Sequence, residues 1–231
     1  MNDCWSVMVG IKDYDEAQGL QKSLCFRRSY GDIPDTILFM EHDSIYTMGS
    51  GTKPEDVKDI DLMETDIRIL KTDRGGGATY HGPGQLVVYP VLRLDPDIDV
   101  ENYLRLLEEV IISSLSEFGV SPKRKREMTG VWADGKKIAS IGVKVSQGVT
   151  KHGFSINVSC DLSFFYSINA CGFKRPATSM AEFFDCEVNM ANLITSVETN
   201  FGKVFDRRII SFDESELDRR LGESIAAKIG L

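Results

Sequence analysis

One stretch constrains this chain more than any other: Arg74-Gly75-Gly76-Gly77-Ala78-Thr79-Tyr80-His81-Gly82-Pro83-Gly84-Gln85, in which five of twelve residues are glycine. Glycine reaches positive φ at no steric cost and lets backbone approach a ligand or other backbone closely. Directly after it, Leu86-Val87-Val88-Tyr89-Pro90-Val91-Leu92 reads as a buried strand. Glycine content alone would describe a long turn between strands. A loop that also carries Arg, Tyr, His and Gln into a core strand suits a ligand platform.

The surrounding pattern predicts an α+β fold, a mixed β-sheet flanked by helices, in a single domain over 1–231. Strands are expected at 5–12, 35–41, 44–48, 66–71 and 86–94. A helix over 14–29 starts at Asp13 as N-cap, buries Ala17, Leu20, Leu24 and Cys25, and stops at Gly31. Gly49-Ser50-Gly51-Thr52-Lys53 lacks phosphate-loop spacing and reads as a plain loop. A short helix is expected over 55–64, and a longer one over 99–118 with Val100, Leu104, Leu107, Ile111 and Leu115 as its apolar stripe. The basic run Lys123-Arg124-Lys125-Arg126 follows as a loop. Strands over 130–133 and 137–146 flank an Asp134-Gly135 hairpin turn, and a third covers 153–158. Helices are expected at 161–167, 178–183, 187–203 and 213–228, with a loop at Asn169-Ala170-Cys171-Gly172.

Charge and cysteine usage narrow the function classes. A net charge of −8 disfavours non-specific nucleic-acid binding, which depends on neutralising phosphates. No apolar run reaches the ~20 residues of a membrane span. The N-terminus shows no targeting pattern, so a cytoplasmic protein is expected. Five cysteines, an odd number and without a Cys-x-x-Cys pair, suit free thiols, and three histidines make a structural zinc site unlikely.

Cys171 is the sharpest candidate for chemistry, because small neighbours, Ala170 and Gly172, leave its thiol accessible. Cys4, Cys25, Cys160 and Cys186 lie in or beside predicted elements and suit the commoner role of small buried apolar groups. A thiolate needs an activating neighbour. Lys137 begins a core strand where apolar surroundings would lower its pKa, and Lys136 stands beside it. His81 and His152, each followed by glycine, are equally eligible partners. Periodicity and spacing do not choose among them.

Arg74-Gly75-Gly76 followed by Thr79-Tyr80-His81-Gly82-Pro83-Gly84-Gln85 closely resembles the signature of the octanoyltransferases, also called lipoyl(octanoyl) transferases or lipoate-protein ligase B. The resemblance continues in order through Glu41-His42, Tyr46-Thr47-Met48-Gly49, Gly130-Val131-Trp132, Lys137-Ile138-Ala139-Ser140-Ile141-Gly142, His152-Gly153, Asn157-Val158, Asp161-Leu162, Phe165, Ile168, Cys171-Gly172 and Thr178-Ser179-Met180. It covers roughly residues 35–205.

That resemblance implies the catalytic fold of the biotin/lipoate protein ligases. It makes Cys171 the acyl-carrying nucleophile and Lys137 the group that lowers its pKa. Substrate contacts carry over to Arg74, Gly75, Gly76, Gly77, Ala78, Thr79, Tyr80 and His81, to Ser140, Ile141 and Gly142, and to Gly153, Phe154 and Ser155. The implied donor is octanoyl-acyl carrier protein. The implied acceptors are lipoyl domains of 2-oxoacid dehydrogenase E2 subunits and the glycine cleavage H protein. No cofactor, metal, nucleic acid or membrane is implied. Ala170 and Ser155 depart from the family's usual proline and alanine, which bears on loop order and acyl preference. The alternatives are an ATP-dependent lipoate or biotin-type ligase, an amidotransferase between lipoyl proteins, and a non-catalytic acyl-protein binding module.

Overall fold

A computed structural model describes residues 2–57, 60, 67–168, 177–185 and 188–229, with side chains up to residue 222. Its frame is an eight-stranded mixed sheet built from β1 (Asn2–Ile11), β2 (Asp35–Glu41), β6 (Gln85–Val91), β7 (Lys123–Lys125), β8 (Met128–Ala133), β9 (Lys136–Ser146), β10 (Val149–Asn157) and β11 (Arg207–Asp213). The spatial order is β11-β1-β2-β6-β10-β9-β8-β7. The first three strands run parallel and every later pairing is antiparallel. A second, three-stranded sheet sets β3 (Ile45–Met48) between β4 (Arg68–Lys71) and β5 (Ala78–His81).

Both faces of the large sheet are covered, and the alternation of its central strands shows how. In β2 and β6, Ile37, Phe39, Leu86 and Val88 join the core under α2 (Val100–Glu117) and α3 (Met190–Val204). Leu38, Met40, Val87 and Tyr89 enter the opposite core, with Ala17 and Leu24 of α1 (Tyr14–Ser29) and Leu217 of α4 (Glu214–Ile229). A strand covered on both sides reads as a continuous apolar run, which is why the stretch after the glycine loop is so uniformly hydrophobic. No helix among the described residues is long and apolar enough to cross a membrane.

Several boundaries follow the local chemistry. Asp13 caps α1 by accepting hydrogen bonds from Asp15 N and Glu16 N, and Gly31 ends it at φ +76°. Asp134 and Gly135 both take positive φ, 47° and 79°, as the tight hairpin between β8 and β9 requires. Elsewhere tertiary contacts override the pattern. On α2 the expected Leu107, Ile111 and Leu115 are buried and Leu104 packs partly buried against the core, but Val100 is exposed and Tyr103 and Val110 join the buried face. The expected helices at 161–167 and 178–183 are 3₁₀ turns, Leu162–Ser167 and Met180–Phe183. Of the helix expected over 55–64 only the 3₁₀ turn Pro54–Asp56 is described. The α3 helix starts at Asn189, whose side chain accepts from Asn192 N.

The basic run expected as a loop forms the edge strand β7. Strand β11 has no counterpart in the sequence reading. It pairs parallel with β1, and Arg207 reaches past β1 to β2, where it donates to the buried Asp35 at 2.9 Å while Arg28 of α1 donates to the other carboxylate oxygen at 2.7 Å.

Candidate active site

The glycine-rich stretch forms the wall of a cavity of about 440 Å³. Its first turn is held from within by Arg74. The guanidinium is buried and donates to Thr47 O at 2.7 Å, Thr47 Oγ1 at 2.8 Å, Gly77 O at 2.8 Å and Gly75 O at 3.1 Å. The loop is clamped from outside as well. Gly49, Ser50 and Gly51 donate their amides to Gly77 O, Arg74 O and Gly76 O, and Gly75 N donates to Val143 O at 2.9 Å. These approaches leave no room for side chains. A Cβ on Gly49 would meet Gly76 O at 2.4 Å, and one on Gly142 would meet Gly75 O at 2.8 Å. The Gly49-Ser50-Gly51 segment thus binds backbone carbonyls of its own chain.

The second half of the loop carries His81 into a hydrogen-bond chain. Gln85 Nε2 donates to Tyr80 O and to Asn157 Oδ1, which turns Gln85 Oε1 toward His81. His81 Nδ1 is therefore the protonated nitrogen and donates to Gln85 Oε1 at 2.7 Å. Asn157 Nδ2 donates onward to Thr178 O at 3.0 Å. Burial, with His42 and the Arg74 cation nearby, pushes His81 down to about 3, so its ring is neutral at physiological pH. His42 donates from Nδ1 to Lys12 O at 2.7 Å and accepts at Nε2 from the Tyr89 hydroxyl at 2.8 Å.

His152 sits on β10 at φ +58°, a left-handed conformation that is unusual for a non-glycine residue. Its Nε2 donates to Asp73 Oδ1 at 2.8 Å, and Lys151 pairs with Asp73 Oδ2 at 2.6 Å. Burial opposes ionisation of Asp73, but the Lys151 and His152 hydrogen bonds outweigh it and hold the carboxyl down at about 2. Burial also lowers His152 from its ordinary value. The Asp73 carboxylate thereby fastens the start of the glycine loop to β10.

Lys137 lines the cavity from β9, and its ammonium lies 5.6 Å from the centre of the Trp132 ring, within cation–π range. Its carbonyl accepts from Thr178 N at 3.0 Å, and Ala177 pairs alongside it. Lys136 points elsewhere, to Glu182 at 3.1 Å. Cys171, with Ala170, lies outside the described residues, but Ile168 and Ala177, on either side of that segment, both line the cavity. Cys186 also lies outside them. Cys4, Cys25 and Cys160 are free thiols. Burial raises all three, Cys25 to about 11 and Cys160 to about 12.

Of the other residues carried over by resemblance, Arg74, Gly76, Gly77, Ala78, Thr79 and His81 line the cavity, as do Ser140, Ile141, Gly142, Gly153, Phe154 and Ser155. Gly75 and Tyr80 are not in its lining. The Tyr80 ring packs behind the loop against Phe164 and Tyr46, with its hydroxyl 2.9 Å from that of Ser44. Tyr14 and Met128 line the cavity without having been singled out. Tyr14 opens a largely polar helix and Met128 follows a charged run, so neither carries a local signal.

Much of the lining is apolar, from Val87, Trp132, Ile141, Phe154, Phe165 and Ile168, and the wall also holds an amine and a neutral imidazole. The mixed sheet covered on both faces has structural counterparts. Lipoate-protein ligase A bound with ATP matches with a TM-score of 0.70 over 97% of this chain and 94% of that one, at 18% identity. A biotin protein ligase from Aquifex aeolicus in complex with biotin and ATP matches at 0.54 over 89% and 71%, at 13% identity. The fold is that of the lipoate and biotin ligases, and the lipoyl protein ligase A/B catalytic domain family matches residues 13–202.

Sequence likeness goes further. An octanoyltransferase from Geobacter metallireducens is 40% identical over 90% of this chain and 96% of its own length. One from Rubrobacter xylanophilus is 41% identical over 85% and 91%. The chain belongs to the octanoyltransferase family and is an acyltransferase.

Proposed function

We propose that this protein transfers an octanoyl group from octanoyl-acyl carrier protein to a lysine of a lipoyl domain, through a thioester on Cys171. The observation that carries this reading is the convergence on one apolar-lined cavity of Lys137 and of both flanks of the Cys171 segment, Ile168 and Ala177. The 40% identical octanoyltransferases support the choice of acyl group. The acceptors in this reading are lipoyl domains, those of 2-oxoacid dehydrogenase E2 subunits and of the H protein. A lipoate protein ligase of this fold from Thermoplasma acidophilum is described together with its E2 lipoyl domain.

The chemistry needs a thiolate first. His81 is held neutral by burial, and His152 is lowered and engaged by Asp73. Of the candidate activators, Lys137 is the one whose charge at neutral pH can lower the thiol's pKa. The Cys171 thiolate attacks the octanoyl carbonyl carbon. A C–S bond forms, the bond to the carrier's thiol breaks, and the departing thiolate takes a proton from the Lys137 ammonium, which leaves Lys137 as the neutral amine. The acceptor amine then attacks the same carbon. Its C–N bond forms, the Cys171 C–S bond breaks, and Lys137 receives the amine's proton. Thioester exchange is near thermoneutral and amide formation from a thioester runs downhill, so no nucleotide is consumed. Backbone donors must hold the oxyanion. Gly75 N is already committed to Val143 O, which removes it from that role.

Intact-protein mass after mixing with octanoyl-acyl carrier protein tests the reading. The expected result is one octanoyl adduct on the wild type and none on Cys171→Ala, with the adduct discharged by a lipoyl domain. A Cys171→Ala protein that transfers normally refutes the mechanism. ATP–pyrophosphate exchange dependent on a free fatty acid would favour ligase chemistry instead.

A further inference from the structure

The α2 helix buries one carboxylate in an otherwise apolar face. Glu108 is wholly buried, and two arginines reach it: Arg105 Nη1 at 2.8 and 3.1 Å from its two oxygens, and Arg124 Nε at 3.8 Å. Burying a carboxylate is costly unless its oxygens are bonded. The arginines would serve an ion pair at the helix rim equally well. The remaining contact is different in kind: Gly130 N, in β8, donates to Glu108 Oε1 at 3.1 Å.

Gly130 has an unusual position. Its φ is +135°, and a Cβ there would meet Lys137 Cε at 2.6 Å, Ala139 O at 2.8 Å and Lys137 Nζ at 3.2 Å. The lysine side chain therefore lies directly on the glycine backbone. Beside this point the β8–β9 register steps from Val131 opposite Ala139 to Trp132 opposite Lys137, which leaves Ile138 as a bulge. The Lys137 stem packs on the Gly130 backbone, and that backbone is held from α2.

We propose that Glu108 is a positioning residue for Lys137. Its carboxylate anchors the Gly130 amide, the anchored β8 backbone keeps open the slot along which the Lys137 side chain runs, and the slot holds the ammonium against Trp132 at the cavity wall. Its importance for transfer rests on the reading of Lys137 as the activating group. The mechanical link between Glu108 and Lys137 does not.

Two conservative variants separate this role from that of an ion pair. Glu108→Gln keeps the length and an acceptor for Gly130 N but loses the charge. Glu108→Asp keeps the charge but withdraws the acceptor by one methylene. The readouts are acetylation of Lys137 by acetic anhydride across pH, followed by peptide mass spectrometry with exposed Lys144 as internal reference, and kcat and KM with octanoyl-acyl carrier protein. Positioning predicts that Glu108→Asp moves the Lys137 profile toward that of Lys144 and lowers kcat roughly tenfold at little cost in KM. Glu108→Gln should do less on both counts even though it has the lower melting temperature. If Gln perturbs Lys137 more than Asp does, or if both leave its profile as in the wild type, the inference is overturned. Should the Asp variant not fold, Gly130→Ala blocks the slot from its other side and must shift the same profile. Full transfer by Lys137→Ala would refute the catalytic reading alone, since the acetylation profile still reports the link.

Discussion

Two cations line the same cavity, and the chain holds them in contrasting ways. Arg74 is enclosed by carbonyls and a hydroxyl of its own loop and of β3, with four donor contacts at 3.1 Å or less. Lys137 lies on a bare glycine backbone with its ammonium over the Trp132 ring. The guanidinium's planar fork can satisfy several fixed acceptors at once, whereas an ammonium on a flexible stem can give up or gain a proton as its surroundings change. The cation of the glycine motif is an internal brace, while the cation to which we assign the chemistry stands a long way off in sequence.

Lys137→Ala is the strongest way to break that contrast. Octanoyl transfer should fall roughly 10²- to 10⁴-fold, with a melting temperature close to wild type. Alkylation of Cys171 by iodoacetamide should shift toward the free-thiol pH range of about 8.5. Lys136→Ala is the control, because that ammonium pairs with Glu182. An unchanged alkylation profile in Lys137→Ala would mean that another group activates the thiol.

Arg74→Met reverses the pattern. It takes a donor from the carbonyls of Thr47, Gly75 and Gly77, the last of which keeps Gly49 N, and a buried acceptor left without a partner costs about 1–3 kcal/mol. We expect a loss of about 3 kcal/mol or more and a melting point lower by roughly 10 °C, since each kcal/mol is worth about 2–4 °C at this size. Urea unfolding of the variant measures it. A stable Arg74→Met protein that has lost only substrate binding would show that Arg74 is no brace.

The histidine of the same loop gives a subtler effect. Its folded-state value of about 3 lies below the ordinary 6.5, so between these limits the unfolded chain binds the extra proton. Stability should therefore decline as pH falls from about 6.5 toward 3, and His81→Gln should flatten that decline. Asp73, held down at about 2, adds a loss of its own below about 3.8. Melting temperature against pH for the two proteins decides the matter, and identical slopes would remove His81 from the account.

The smallest effect concerns docking beside Lys137. In β7, Arg124 is engaged by Glu109 and lies near Glu108, while Lys125 sits 5.0 Å from the centre of the cavity-lining Trp132 ring. A second basic pair that could steer the carrier, Lys174-Arg175 just after Cys171 in the sequence, lies outside the described residues. Joint reversal of Lys123 and Lys125 to Glu should lower kcat/KM for octanoyl-acyl carrier protein a few-fold at low salt and converge with wild type as salt rises. A salt-independent difference would argue for a direct contact rather than steering.

Local pattern determined a good deal of this protein. The apolar run after the glycine loop, the capped helix after Asp13 and the Asp134-Gly135 hairpin all stand where periodicity and turn chemistry place them. The motif order was enough to identify the family, and in the resemblance it singled out Cys171 and Lys137. Only the tertiary structure decided that Arg74 serves as a brace and that Lys137 rather than Lys136 turns into the cavity. It likewise decided that the basic run is an edge strand and that the stretch 207–213 pairs with β1 and sends Arg207 to Asp35 of β2. The reason is the range of the forces. Helix periods, caps and tight turns are set by neighbours a few residues away, so a sequence displays them. Strand pairing, the satisfaction of a buried charge and the burial that holds His81 neutral depend on groups brought together across the fold, and the spacing of residues along the chain does not record them.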